Sequence, residues 1–199
     1  AVLEDAERRP LGVVTVNPGS RIVARVLDQD PGAVVGRDWI AGRLRRALAL
    51  RERLHEAPFY RLVHAEADGL PGVVVDRMGE VAVLQPNAAW AEAMLGPLVA
   101  ALAEVAGVAS VVKSAGSRGR ALEGLDAETV MALGPAPEGP IEVPMNGATY
   151  LADVLGGQKT GLFFDQRPNH AFAASVARGA RVLDVFAHVG GFGLAALAG

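Results

Sequence analysis

Apolar residues recur along the chain in short alternating or continuous runs, and these are separated by stretches in which they return every three or four positions. Leu11–Val16 and Arg21–Leu27 predict two strands around the turn Asn17-Pro18-Gly19-Ser20. From Val35 to His55 the spacing of Trp39, Ile40, Leu44, Ala47, Leu48 and Leu54 predicts a helix with one apolar face. Tyr60–His64, Val73–Asp76 and Val81–Leu84 read as a β-meander, punctuated by glycine-bearing turns at 68–72 and 78–80. Ala88–Ala106 predicts a second helix, with Trp90, Met94, Leu95, Leu98, Leu102 and Val105 inward and Gly107 ending it. Val108–Lys113 and Glu128–Leu133 read as strands on either side of a glycine- and arginine-bearing loop, 114–124. After the Pro- and Gly-rich run 134–140, Ile141–Val143 and Ala148–Asp153 are strand-like. A helix then follows Pro168, with Phe172 and Val176 four apart and Gly179 closing it. Val182–Phe186 predicts a short buried strand, Gly190, Gly191 and Gly193 a turn, and Leu194–Ala198 the first turn of another helix.

This order predicts an α/β fold class in three parts. Residues 1–32 form a pair of strands too small to stand alone, 33–140 a mixed α+β central domain, and 141–199 the beginning of a Rossmann-like domain. With 199 residues, 51% of them hydrophobic, the chain can bury an ordinary core. No apolar run of about 20 residues is present, and the N-terminus carries acidic charges where a signal peptide would be basic and then apolar, so a cytoplasmic protein without a membrane partner is expected. The absence of cysteine excludes disulfides, cysteine zinc sites and thiol nucleophiles within this sequence. A net charge of −3 does not advertise nucleic-acid binding, but Arg43, Arg45, Arg46, Arg51 and Arg53 crowd one helix against the single glutamate Glu52. That helix reads either as a phosphate-contacting surface, with Arg43 and Arg46 towards RNA, or as a solvated arginine face. His64-Ala-Glu66 matches the H-x-E of zinc deaminases, but no Pro-Cys-x-x-Cys follows it.

The chemistry concentrates in 156–193. A strand, a glycine turn and a helix start let the backbone approach a ligand closely and present helix N–H groups to it. A dinucleotide fingerprint would place its acid about 20 residues after the glycines. Here Asp184 precedes Gly190 by six residues, where a carboxylate would face an amino group and repel a pyrophosphate. Upstream lies Gly-Gln-Lys-Thr-Gly-Leu-Phe-Phe-Asp-Gln-Arg, residues 157–167. Phe163 and Phe164 offer a stacking face, or else core packing; Arg167 offers a planar fork for a carboxylate, or a solvated helix start; Asp165 offers a ligand contact, a helix cap, or both. Lys159 is one of only two lysines.

The Asp184 and glycine-turn pattern resembles motif I of class I S-adenosylmethionine-dependent methyltransferases. The upstream block is similar to the extra N-terminal cofactor motif of the RlmI-like family of 23S ribosomal RNA cytosine-5 methyltransferases. The run Arg-Leu-Val-His-Ala-Glu-Ala-Asp-Gly-Leu-Pro-Gly-Val-Val-Val-Asp-Arg, 61–77, is similar to the hallmark of that family's central domain. Asn17, Pro18, Ser20, Ile22, Arg25 and Val26 resemble the end of the PUA RNA-binding barrel that opens its members. The resemblance implies S-adenosylmethionine as cofactor, lined by Thr160, Gly161, Phe163, Phe164, Asp165, Gln166, Arg167, Asp184, Phe186, Gly190 and Gly191. It also implies ribosomal RNA as partner, with Arg43, Arg46 and Lys159 as RNA contacts, and a homodimer is a further expectation. The family's catalytic elements, an Asp-Pro-Pro-type motif and a cysteine that attacks C6 of cytosine, have no counterpart in these residues, so no catalytic residue is assigned and the sequence reads as a piece of a longer enzyme, with most of the barrel missing and only the first part of the catalytic domain present. Two other classes stay open: a nucleotide-dependent oxidoreductase, and a non-catalytic RNA-binding or dimerising module.

Overall fold

The computed structural model describes residues 1–157 and 160–199. Lys159, named above as an RNA contact, lies outside the described residues.

The chain begins with an antiparallel sheet of β1 (Val2–Glu4), β2 (Pro10–Val16) and β3 (Ala24–Asp28). Helix α1 (Arg37–Leu54) follows; Asp38 in its first turn and Arg51 and Arg53 in its last suit the helix dipole. The main sheet has the order β4 (Phe59–His64), β5 (Val73–Met78), β6 (Val81–Pro86), β7 (Ser110–Lys113), β8 (Val130–Leu133). Its pairs are antiparallel except β6 with β7, which run parallel because α2 (Ala89–Ala93) and α3 (Leu95–Ala106) make the crossover between them. The helix expected over 88–106 divides at Met94. Pro97 has no N–H to donate to the carbonyl of Ala93, so the ladder cannot run through that turn. Within the loop expected at 114–124, a short helix α4 (Arg118–Leu122) starts under a cap in which Ser117 Oγ accepts from the Gly119 N–H.

Both faces of this sheet are covered. On one, Leu62, Val73, Val75, Ala82, Leu84 and Val111 pack against Ile40 and Leu44 of α1 and Leu98 and Leu102 of α3. On the other, Met78, Val83 and Val112 meet the hairpin of β9 (Ile141–Met145) and β10 (Ala148–Ala152) through Val143, Met145 and Tyr150. Leu162 and Phe164 join that second cluster. The 3₁₀ turn Phe164–Gln166 then leads into α5 (Arg167–Val176), which has Pro168 in its first turn, and the chain ends with α6 (Gly191–Ala198).

One expectation for this last part is corrected. Val182–Phe186 is not a buried strand: it is irregular, and Leu183 and Phe186 are 86% and 101% exposed. A strand persists only when its backbone groups are paired, and among the described residues no strand lies beside it. Phe172 and Val176, for the same want of a facing layer, point outward from α5.

Two carboxylates help fasten the N-terminal sheet to the central domain: Asp28 of β3, which accepts from Trp39 Nε1 and Arg43, and the buried Glu123. Glu123 accepts from Ser20 Oγ at 2.7 Å, Arg25 Nη2 at 2.9 Å, Asn17 Nδ2 at 3.1 Å and the Ala89 N–H at 3.3 Å. Burial alone would raise its pKa, but these donors outweigh burial and hold it down at about 2. Asn17, Ser20 and Arg25 thus all reach one acceptor. Glu123→Ala removes it and leaves the Arg25 guanidinium without that partner, with an expected loss of about 3 kcal/mol in urea unfolding. Because the folded pKa is depressed, the carboxylate's contribution is full above the unfolded value of 4.5 and is lost as pH falls towards about 2. Acid titration of wild type and Glu123→Ala checks this: the two stability curves should converge over that window.

Candidate functional site

The glycine turn forms as the sequence predicts. Gly190 takes a left-handed conformation, with φ 76°, and caps the start of α6. Asp184 Oδ2 accepts from the Gly193 N–H at 2.9 Å, so the acid ahead of the glycines satisfies one of the orphan donors of the helix it precedes. Gly191 is required by close approach: a Cβ there would stand 2.5 Å from Cε1 and Nε2 of His170.

Between this turn and the 162–170 segment lies a cavity of about 200 Å³, lined by Leu162, Phe163, Gln166, His170, Asp184, Phe186, His188, Gly191 and Phe192 among others. Of the predicted site residues it therefore brings together Phe163, Gln166, Asp184, Phe186 and Gly191, with Gly190 adjoining. Its walls are aromatic: Phe163 meets the His188 ring edge-on at 5.1 Å, and Phe192 meets His170 edge-on at 4.5 Å. His170 is 4% exposed and lies roughly parallel to Tyr150, whose hydroxyl donates to the Gly191 carbonyl. Burial lowers the His170 pKa more than Asp184 and Asp165 raise it, which favours the neutral ring. Its Nδ1 is buried, and no hydrogen-bond partner reaches it among the described residues.

The other predicted residues lie elsewhere. Thr160 is buried, with its hydroxyl donating to the Leu162 carbonyl, and Gly161, at φ 89°, passes so close to Asp153 that a Cβ would sit 2.7 Å from its carbonyl oxygen. Both shape the turn that delivers Leu162 and Phe163. Phe164, Asp165 and Arg167 face the opposite side, towards the edge strand β4, in a hollow of about 140 Å³ shared with Arg51, His55, Arg61 and His64. Arg43 is held by Asp28 at 2.6 Å and lies over the Trp39 ring, whereas Arg46 is exposed.

His170, His188 and Phe192 were not singled out from the sequence. His170 stands four residues after Gln166, so helical spacing alone puts the two on one face. His188 and Phe192 carry no such signal beyond their place in the glycine turn.

The fold is shared with solved methyltransferase structures. A SAM-dependent methyltransferase of Streptococcus mutans superposes with a TM-score of 0.83 at 18% identity, and a methyltransferase crystallised with SAH with a TM-score of 0.82 at 19%. The whole of this chain is covered in both, and it covers 52% and 51% of theirs. No family profile matches the chain. Curated relatives do. It is 36% identical over 186 residues to the ribosomal RNA large subunit methyltransferase I of Aliivibrio fischeri, strain MJ11, and 38% identical over 189 residues to that of Shewanella amazonensis. Those alignments cover 92% and 94% of this chain and 47% and 48% of the relatives, so the chain spans about half the length of the curated relatives it matches. Over that half, it belongs to the family of the ribosomal RNA large subunit methyltransferase I proteins.

Gly191→Ala tests the packing at the heart of the cavity. Helix propensity favours alanine there by about 1 kcal/mol, but the clash with the buried His170 ring should cost about 1–3 kcal/mol and prevail. The expected result is a lower melting temperature, recovered in large part when His170→Ala is added.

Proposed function

We propose that the chain carries the first cofactor-binding elements and the RNA-facing central domain of an S-adenosylmethionine-dependent methyltransferase acting on 23S ribosomal RNA, at C5 of cytosine. The supporting observation is the cavity in which Leu162, Phe163, Gln166 and His170 meet the glycine turn around an acid and an aromatic wall. Its residues fit the cofactor. Phe163, Phe186 and Phe192 supply apolar surface for an adenosyl group, Gln166 an amide, and Asp184 a carboxylate for an amino group. When bound, S-adenosylmethionine supplies a methyl group activated on a sulfonium. The chain's own part is to bind and orient that molecule: the Gly193 N–H fixes the Asp184 carboxylate, and Gly191 lets α6 close against His170.

The position of Asp184 also argues against the oxidoreductase reading. A dinucleotide would bring its pyrophosphate to the N-terminus of α6, and there the Asp184 carboxylate already accepts from Gly193. In the same reading, residues 1–32 are the end of a PUA-like RNA-binding barrel, 33–140 the central domain, and 141–199 the start of the methyltransferase domain.

Asp184→Asn keeps an oxygen for the Gly193 N–H and removes the charge. Titration calorimetry with S-adenosylhomocysteine should show affinity reduced about tenfold, worth about 1.4 kcal/mol, with little change in melting temperature. Wild-type affinity in this variant would take Asp184 out of the site.

A further inference from the structure

Of the hollows outside the cavity assigned to the cofactor, two share a wall residue. The larger, about 510 Å³, is lined by Arg61, Val74, Gln85 and the loop Gly116–Gly119. By strand alternation Val74 and Gln85 are on the same sheet face as Met78 and Val83, at positions that do not pack in the hairpin's cluster. The smaller is the 140 Å³ hollow at edge strand β4, and Arg61 is a wall of both.

On α1, Arg37 and Arg45 share Glu104 and Arg43 takes Asp28, while Arg46 and Arg53 are exposed and lie in no ion pair among the described residues. In the hollows, Arg51 is paired with Asp68 and Arg61 with the fully buried Asp76, but two arginines have no such partner. Arg118 is exposed, and among the described residues no carboxylate lies within ion-pair distance of it. Arg167 binds only neutral groups, with Nη1 2.8 Å from His55 Nδ1 and Nη2 donating to the Phe59 carbonyl at 2.6 Å. Its Nε is buried with no acceptor among the described residues, and burial lowers its pKa. For Arg167 to donate to it, His55 Nδ1 must be unprotonated; burial and the neighbouring arginines lower the His55 pKa and favour that state. A partly desolvated cation without an anion is costly, and an anion arriving from outside would relieve it. Among the described residues Asp165 is the one acid on either lining; it is exposed and bonded to Gln166.

We propose that the two hollows form one track for single-stranded RNA, with Arg118 and Arg167 each holding a backbone phosphate and Gln85 and Ser117 facing the nucleotide beside Arg118. The proposal rests on the RNA-methyltransferase reading and moves the RNA contact from the arginine helix α1 to the opposite sheet face and the edge strand. The larger hollow falls in the roughly 300–1,000 Å³ range of small-ligand sites. Its lining is polar, with Val74 as the apolar exception, so it lacks the buried apolar anchor on which a protein partner depends. The track ends at residues 164–167, on the other side of the same short segment from Phe163 and the cofactor cavity.

The test is fluorescence anisotropy of a labelled 12-nucleotide single-stranded RNA titrated with wild type, Arg118→Ala and Arg46→Ala over a range of salt concentrations. Arg118→Ala should bind about three- to tenfold more weakly at 100 mM salt, with a log–log salt slope shallower by about 0.7, while Arg46→Ala behaves as wild type. Wild-type affinity and slope in Arg118→Ala, a larger loss in Arg46→Ala, or no RNA binding by the wild-type chain would each overturn the proposal. Calorimetry with S-adenosylhomocysteine on the same samples separates the readings: absent cofactor binding counts against the cofactor site, whichever way the RNA titration falls.

Discussion

The central sheet has two apolar faces, and the need to cover both organises the rest of the molecule. Helices α1 and α3 close one face in the ordinary manner of a crossover. The other is closed by β9 and β10, whose Val143, Met145 and Tyr150 meet Met78, Val83 and Val112. That second contact fixes where the following chain can go. Leu162 and Phe164 finish the same cluster, and so Phe163, between them in sequence, is turned the other way, towards the glycine turn. Burying such side chains is worth about 1.5–3 kcal/mol each, far more than the single hydrogen bonds that trim the site. The cavity is therefore positioned by packing and refined by polar contacts.

Charge is distributed with a corresponding logic. Asp76 and Arg120 are almost wholly buried and fully engaged, Asp76 by Arg61 and Arg120 by Glu92, Asp126 and the Pro86 carbonyl. Glu123 gathers three side chains from the N-terminal sheet. Removing one member of such a group leaves a buried charge uncompensated, which makes these contacts strong determinants of register even where their net stabilisation is modest. Against that background Arg167 stands out, a partly buried cation that binds only neutral groups and whose Nε has no acceptor among the described residues, and Arg118 lines the neighbouring hollow without a carboxylate.

Much of the fold was legible in the chain. The 3–4 spacing of Ile40, Leu44 and Ala47 and the alternation in 59–85 became α1 and the meander, because local period and burial agree there. Where the reading failed, a non-local condition decided. The apolar run 182–186 has strand composition but no neighbouring strand among the described residues, and the helix over 88–106 breaks where Pro97 interrupts the ladder. In the site, the sequence located the two motifs but not the side each residue faces. Phe163 and Phe164 are adjacent and point into different hollows, and Arg167 turns towards His55 and the Phe59 carbonyl, away from Asp184. Glu123 gave no signal at all, since its partners lie about 100 positions away in the chain.

Amide hydrogen exchange, with and without saturating S-adenosylhomocysteine, tests most directly whether the cavity between the two motifs is the cofactor site. Binding there should slow exchange in 162–166 and 184–193, from both sides of the cavity, and leave the exposed turns of α1 around Arg46 unchanged. Protection confined to the edge of the central sheet, or none in either segment, would contradict it.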